Sequence, residues 1–288
     1  MSILRTEGLT YVYGEGTPFV RQAITDVNLK IEADSLYALI GHTGSGKSTL
    51  VQHLNGLIRP TAGHVYLNEE DIWQDPKQIR KVRFRVGLVF QYPEYQLFDE
   101  TVAKDIAFGP RNLGLSEEEI RERVAWAAET VGLSRDLLEK SPFDLSGGEK
   151  RRAAIAGVLA MKPEVVVLDE PTAGLDPKGR DRLLDNLTAY RRENHTTVLL
   201  VSHSMEDVAR VADHVIVMND GRIEMTGATA DVFGQADRLT EIGLNVPVIT
   251  RVMRQLRARG ADLPDNVLTV AQARDAILRL RQGGDRPC

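Results

Sequence analysis

The segment from Gly41 to Ser48 reads Gly-His-Thr-Gly-Ser-Gly-Lys-Ser and fits the pattern G-x-x-x-x-G-K-[ST]. An unbroken apolar run, "LYALI", precedes it, and "TLVQHLNGL" follows with helical character. A strand, a glycine loop and a helix in that order present backbone N–H groups and the positive end of a helix dipole to an anion. Lys47 then reaches the outer phosphates and Ser48 a magnesium ion, while Gly41, His42, Thr43, Gly44, Ser45, Gly46 and Thr49 line the cradle. A nucleoside triphosphate is implied. The cradle alone does not separate kinases, small GTPases, motors and transport ATPases.

Two further segments narrow the choice. "VVVLDE", Val165 to Glu170, ends a buried strand on two carboxylates. Asp169 is placed to hold magnesium and Glu170 to face an attacking water, since successive side chains on a strand point to opposite sides. "LSGGEKRRAAIAGVL", from Leu145, puts Ser146, Gly147 and Gly148 at the start of a second helix, another anion-binding end. One nucleotide has no use for two such ends from the same chain.

The phosphate loop, "LSGGE", "LDEPTAGLD" and "LLVSH", in this order, resemble the ATP-binding cassette (ABC) family. That resemblance implies that Ser146, Gly147 and Gly148 complete the γ-phosphate site of an opposing subunit, so that two chains sandwich two ATP molecules head to tail. It also implies that Tyr13 in "TYVYGEG" stacks on adenine, with Tyr11 close enough to compete, and that Gln91 ending "VGLVFQ" touches magnesium or water. By the same resemblance His203 contacts the γ-phosphate and orients Glu170, and Asp176 lies in a loop along the dimer interface. The side chains of His42 and His53 receive no catalytic role. Two positions depart from the family's usual pattern: Glu149 stands where glutamine is commonest, and Asp34-Ser35 replaces a Gly-Glu. Neither removes a phosphate ligand, so both half-sites are expected to be intact.

"VFQYPEYQLFDETVAKDIAFGPRNLGL", together with "GHTGSGKST" and "GLNVP" at Gly243 to Pro247, is similar to the ATPases of energy-coupling factor (ECF) transporters, importers of vitamins and transition-metal ions. The His-Thr pair in the cradle resembles the second of two paralogous ATPases that form a heterodimer, with a homodimer as the alternative. A transmembrane coupling subunit is then expected to dock by arginine-bearing helices near Tyr92, Glu94, Gln96, Phe98 and Glu100, with a separate membrane subunit binding substrate. That places the chain at the cytoplasmic face of the cell membrane. A conventional ABC importer would share every catalytic motif and differ in its partners. An ABC protein acting on nucleic acid or ribosomes would usually add a second cassette or a long coiled coil, and neither is seen here. A nucleotide kinase has no need of the second phosphate-facing helix.

Several elements must hold these residues in place. "AITDVNLKI" alternates Val27, Leu29 and Ile31 with Asn28 and Lys30, which predicts a half-buried antiparallel strand. "RVGLVFQ", "EVVVLDEP", "TTVLLVSH" and "DHVIVMNDG" are short apolar runs alternating with helical segments, the pattern of a mainly parallel sheet with crossover helices. The fold class is therefore α/β, and the resemblance specifies it as a P-loop NTPase of ABC type with a RecA-like core, an N-terminal antiparallel β subdomain and a helical insertion. The insertion spans about residues 92–161 and includes a capping box, Ser116 with Glu119, ahead of an Ile120, Val124, Ala127, Val131 stripe. Residues 1–227 are expected to form the nucleotide-binding domain. Residues 228–288 should form a small helical domain for dimer contact or regulation, with stripes at Val248, Val252, Leu256 and at Val270, Ala273, Ile277, Leu280.

The 288 residues, 42% hydrophobic and 27% charged, suffice for a large core, and a net charge of −5 advertises no nucleic-acid partner. The one cysteine, Cys288, is read as tail and excludes an internal disulfide framework. No run reaches the roughly 18 apolar residues of a spanning helix, and the start lacks a secretory pattern, so a soluble cytoplasmic chain is expected.

Overall fold

The computed structural model describes residues 2–283, so the expectation for Cys288 lies outside the described residues. Strands β1 (Ser2–Tyr13) and β2 (Arg21–Glu32) open the chain, followed by β3 (Leu36–Ile40), helix α1 (Lys47–Leu54), β4 (Ala62–Leu67) and the short β5 (Glu70–Asp71). Then come α2 (Ile79–Arg85), β6 (Val86–Val89), the helices α3 (Val102–Asn112), α4 (Glu117–Thr130) and α5 (Gly147–Leu159), and β7 (Val165–Asp169). The remainder runs α6 (Pro177–Asn194), β8 (Thr197–Val201), α7 (Met205–Val211), β9 (His214–Asn219), β10 (Arg222–Ala228), α8 (Thr229–Gly234), α9 (Ala236–Glu241), α10 (Val248–Ala258) and α11 (Val270–Gly283).

Two sheets result. The antiparallel one has the order β2-β1-β4-β5, and the larger has β10-β9-β3-β8-β7-β6. From β9 to β6 the pairings are parallel, with β10 antiparallel at the edge. Strands β3, β7 and β8 are buried at every residue, which is why their sequences read as continuous rather than alternating apolar runs. β2 instead buries Val27, Leu29 and Ile31 and exposes Asn28 and Lys30, as its alternation predicts. The phosphate loop, Asp169 and the segment leading to His203 thus leave the carboxyl ends of the adjacent strands β3, β7 and β8, where ligands gather in open α/β sheets.

The helical segment between β6 and β7 packs on the sheet through Ile106, Ile120, Val124, Ala127, Ala156 and Leu159. The capping box opens α4, with Ser116 N and Oγ donating to Glu119 at 3.0 and 2.7 Å. Helix α2, ahead of β6, has no counterpart among the expected elements. After β10, α8 and α9 lay Val232, Phe233, Ala236 and Leu239 against Ala38, Ile40, Val215 and Val217 of the large sheet. The two expected C-terminal helices form, but not as stripes buried against a core. Val248, Val252, Val270, Ile277 and Leu280 are all more than a third exposed, while of the expected residues Ala273 is buried with Met253, Leu263 and Val267 and Leu256 packs against that small cluster. The buried Thr250, whose hydroxyl donates to Val267 O at 2.8 Å, shows that the inward face of α10 lies one position away from the apolar stripe. Among the described residues no helix is long and apolar enough to cross a membrane.

Candidate active site

The phosphate loop is held from behind. At Gly41 an added Cβ would meet Met218 O at 2.4 Å and Ser45 Oγ at 2.5 Å, so no larger residue fits. Gly46, the residue before α1, has φ +101° and backs onto Ala23 O, a conformation that L side chains rarely adopt. The turn between β9 and β10 braces the loop from outside: Gly221 N donates to Ser45 O at 3.0 Å and His42 Nε2 lies 3.1 Å from Asn219 Oδ1. His42 thus serves the loop's shape.

Lys47 is buried and its Nζ donates to Gly41 O at 2.7 Å and His42 O at 3.0 Å, folding the ammonium over the cradle. Burial lowers its pKa, and the carboxylates of Glu170 and Asp169 oppose that. Ser48 Oγ faces Asp169 Oδ2 at 3.5 Å. Burial pushes the Asp169 carboxyl up, with Lys47 pulling the other way. Beside it Glu170 is pushed up to about 7, first by burial and then by the Asp169 charge. A carboxyl poised there can take a proton from water near neutral pH.

Strand alternation is not what separates the two acids. β7 ends at Asp169, and Glu170 has φ +53°, in the left-handed region uncommon for a residue with a side chain. Its backbone N–H is tied to Val201 O at 3.0 Å, which helps hold this strained conformation. The two acids part by a different cause: Asp169 turns to Ser48 and Glu170 to His203. Glu170 Oε1 is buried without a hydrogen bond, 3.5 Å from His203 Nε2. Burial and then the Lys47 charge lower the His203 pKa, which favours the neutral imidazole.

Tyr13 and Tyr11 now separate. Tyr11 is wedged between Tyr13 and the buried His53, with ring centroids 4.8 Å from each, whereas Tyr13 is 39% exposed. The Tyr13 hydroxyl lies 3.3 Å from Thr49 Oγ1 on α1, which sets the ring beside the phosphate loop. Gln91 follows β6, the strand that pairs with β7, and no hydrogen bond ties it to either acid. It is exposed two residues past β6 and makes no side-chain hydrogen bond among the described residues. Ser146 caps α5, with Gly147 and Gly148 in its first turn, and none of the three bonds to Gly41–Thr49 of the same chain. Asp176 caps α6 by accepting from Gly179 N at 2.6 Å.

Two networks escape sequence reasoning. Buried Asp207 accepts from Arg180 Nε at 2.6 Å and from Thr172 Oγ1 at 3.0 Å, and Arg180 also donates to Ser204 Oγ, joining the segments after Asp169 and His203. The Ser204-x-x-Asp207 spacing at the start of α7 is the signal that could have found it. The second network corrects an expectation. Glu94 does not rim a docking groove as a free carboxylate, because Arg151 on α5 grips it at 2.9 and 3.2 Å while donating to Ala173 O as well. Both side chains are largely buried. Glu94→Ala would strand the Arg151 charge, and we expect a loss of about 3 kcal/mol in unfolding free energy, measured by denaturant titration. The swapped pair Glu94→Arg with Arg151→Glu should recover part of it; no recovery would mean the pairing is incidental.

Oxygen donors from Ser48 and Asp169, with a buried carboxylate short of positive charge, suit a hard divalent cation that also binds substrate phosphates. Among the described residues no set of three or more His, Cys, Asp or Glu side chains forms a cage for a metal by itself.

The family profile described as ABC transporter matches residues 24–173. The energy-coupling factor transporter ATP-binding protein EcfA2 of Caldanaerobacter subterraneus subsp. tengcongensis is 54% identical over 280 residues, covering 97% of this chain and 98% of that one. The protein of the same name from Clostridium acetobutylicum is 52% identical, covering 98% of this chain and 99% of the relative. Among solved structures, cbiO1 from Clostridium perfringens, part of the ABC transporter complex cbiONQ, aligns with TM-score 0.75 and 38% identity over 88% of this chain and 99% of that one. A dimeric ATP-binding cassette in a post-hydrolysis state, bound to ADP and Pi, aligns with TM-score 0.72 and 28% identity over 78% of this chain and 98% of its own. A strand-loop-helix cradle, paired acids with a facing histidine and full-length likeness at this level lead to one conclusion: the chain belongs to the ABC transporter family, among its energy-coupling factor ATP-binding proteins.

Proposed function

We propose that this chain is the ATP-hydrolysing subunit of an ECF-type importer, coupling ATP binding and hydrolysis to uptake of a vitamin or transition-metal ion through a membrane complex. One observation carries the reading. Lys47, Ser48, Asp169, Glu170 and His203 converge at one strand end, while Ser146 opens a separate, exposed helix end with no link to that cradle. That separation supports a shared site, in which half of each ATP site comes from another cassette, a paralogue or a second copy, as in the family this chain resembles.

In this mechanism Tyr13 stacks on adenine, and the N–H groups of Gly44 to Thr49 with Lys47 bind the triphosphate. Ser48, Asp169 and Gln91 would hold magnesium, which would supply positive charge to offset that of the phosphates. Glu170 accepts the proton of the attacking water, and His203 contacts the γ-phosphate and orients Glu170. Ser146, Gly147 and Gly148 close on the partner's γ-phosphate, with Asp176 along the interface. Residues 1–227 form the nucleotide-binding domain, and residues 228–288, anchored to the sheet by α8 and α9, supply dimer contact through the exposed faces of α10 and α11.

The transmembrane coupling subunit docks on the cytoplasmic side beside Tyr92, Gln96, Phe98 and Glu100. A groove of about 580 Å³ supports this placement: the exposed rings of Phe98 and Phe108 line it with Ala154 and Met161, and Arg80 and Arg83 add positive charge. Phe98→Asp should therefore cut recovery of the membrane complex at least about tenfold, as truncation of an aromatic anchor does, while ATP hydrolysis by the detached pair stays unchanged. Complex yield equal to the parent's would remove the groove from the docking site.

A further inference from the structure

The start of α5 already holds an anion of its own. Ser146 N and Ser146 Oγ both donate to Glu149 Oε2, at 2.8 and 2.7 Å, and Glu149 N returns a bond to Ser146 Oγ at 3.4 Å. The same box closes α4 at Ser116 and Glu119, where it acts as a cap and no ligand is assigned. At α5 the box sits where the partner's triphosphate must seat, a placement that rests on the shared-site reading of Ser146. A serine hydroxyl has one proton to donate. The Glu149 carboxylate and the incoming phosphate cannot both receive it, and their negative charges meet at one helix end.

We propose that Glu149 is a built-in competitor for the partner's γ-phosphate, occupying the donors of Ser146 in the open state and setting the ATP concentration at which the two cassettes close. The displaced carboxylate has somewhere to go. The charge of Arg152, three residues further along α5, already acts on Glu149, and residues at that spacing face each other on a helix. The Ser146 hydrogen bonds, helped by the charges of Arg152 and Lys140, hold the Glu149 carboxyl below its ordinary range while it occupies the cap. Closure then exchanges a carboxylate for a phosphate on Ser146. In the open state the competitor keeps the signature end from attracting other anions.

The test compares Glu149→Gln with Glu119→Gln in the ATPase pair, measuring hydrolysis against ATP concentration. Glutamine preserves the reciprocal cap at either helix, so neither variant should lose its fold, which thermal unfolding checks. Removing one charge a few ångströms from the phosphate should lower the KM for ATP about 3- to 10-fold in Glu149→Gln, with kcat no higher than the parent's. Glu119→Gln should leave both constants unchanged. An unaltered or raised KM in Glu149→Gln, or an equal shift in Glu119→Gln, would overturn the competitor role. Ser146→Arg in the same assay separates the premises. If it abolishes hydrolysis at the partner-held site while Glu149→Gln is silent, only the Glu149 inference fails, whereas an active Ser146→Arg pair overturns the shared-site reading and this inference with it.

Discussion

Glu170→Gln should lower hydrolysis at the site built on Lys47 by ~10²-fold or more while leaving ATP binding intact, because glutamine keeps the shape but cannot take the proton. Glu170 has the attributes of the acceptor: a buried oxygen without a hydrogen bond, a pKa of about 7 set by burial and the Asp169 charge, and His203 Nε2 at 3.5 Å. Its left-handed backbone, φ +53°, is available to glutamine at similar cost, so the loop should not rearrange. The assay uses a pair whose partner-held site is disabled, and reads both phosphate release and labelled ATP retained through gel filtration. ATP should be trapped unhydrolysed in the variant. Turnover within a few-fold of the parent would remove Glu170 from the role of base.

Ser146→Arg should have an effect of similar size by another route. Ser146 lies exposed at the start of α5 and touches nothing in the phosphate loop of its own chain, so a long cation there obstructs only what arrives from outside. Misplacing a reacting group by about 1 Å can cost 10²-fold in rate, and a guanidinium wedged between the cassettes displaces them further. Equilibrium titration of the isolated chain with a fluorescent ATP analogue should give the parent's affinity, while hydrolysis at the partner-held site is lost. Lost affinity in the isolated chain would mean that α5 contacts its own nucleotide, and the head-to-tail arrangement would be wrong.

Legibility in the sequence tracks the strength of local constraint. Gly41 and Gly46 tolerate no side chain, Lys47 must fold back over the loop, and β3, β7 and β8 are apolar throughout, so each leaves an unmistakable local pattern. The family resemblance adds the roles of Ser146, Gln91 and His203, which no spacing could have supplied. Pairings between distant residues are illegible. Glu94 reads as a free surface acid because its partner Arg151 lies 57 positions away, and the Thr172, Arg180 and Asp207 network joins two loops separated by a helix and a strand. The separation of Asp169 from Glu170 is expected from strand alternation, which is the wrong reason, since the strand ends between them. In α10 the periodicity is real, but Thr250 and Met253 mark the inward face while Val248 and Val252 stay exposed, so pattern alone misjudges which side meets a core.

An ATPase that drives import through membrane partners must be recoverable with them, and native mass spectrometry of the complex carrying this chain, extracted from membranes in mild detergent, decides the matter. We expect a second ATP-binding cassette, a transmembrane coupling subunit and a small substrate-binding membrane protein in fixed ratio with this chain. Recovery of a conventional permease with a soluble or lipid-anchored receptor, or of this chain with no membrane protein at all, would refute the proposed importer role.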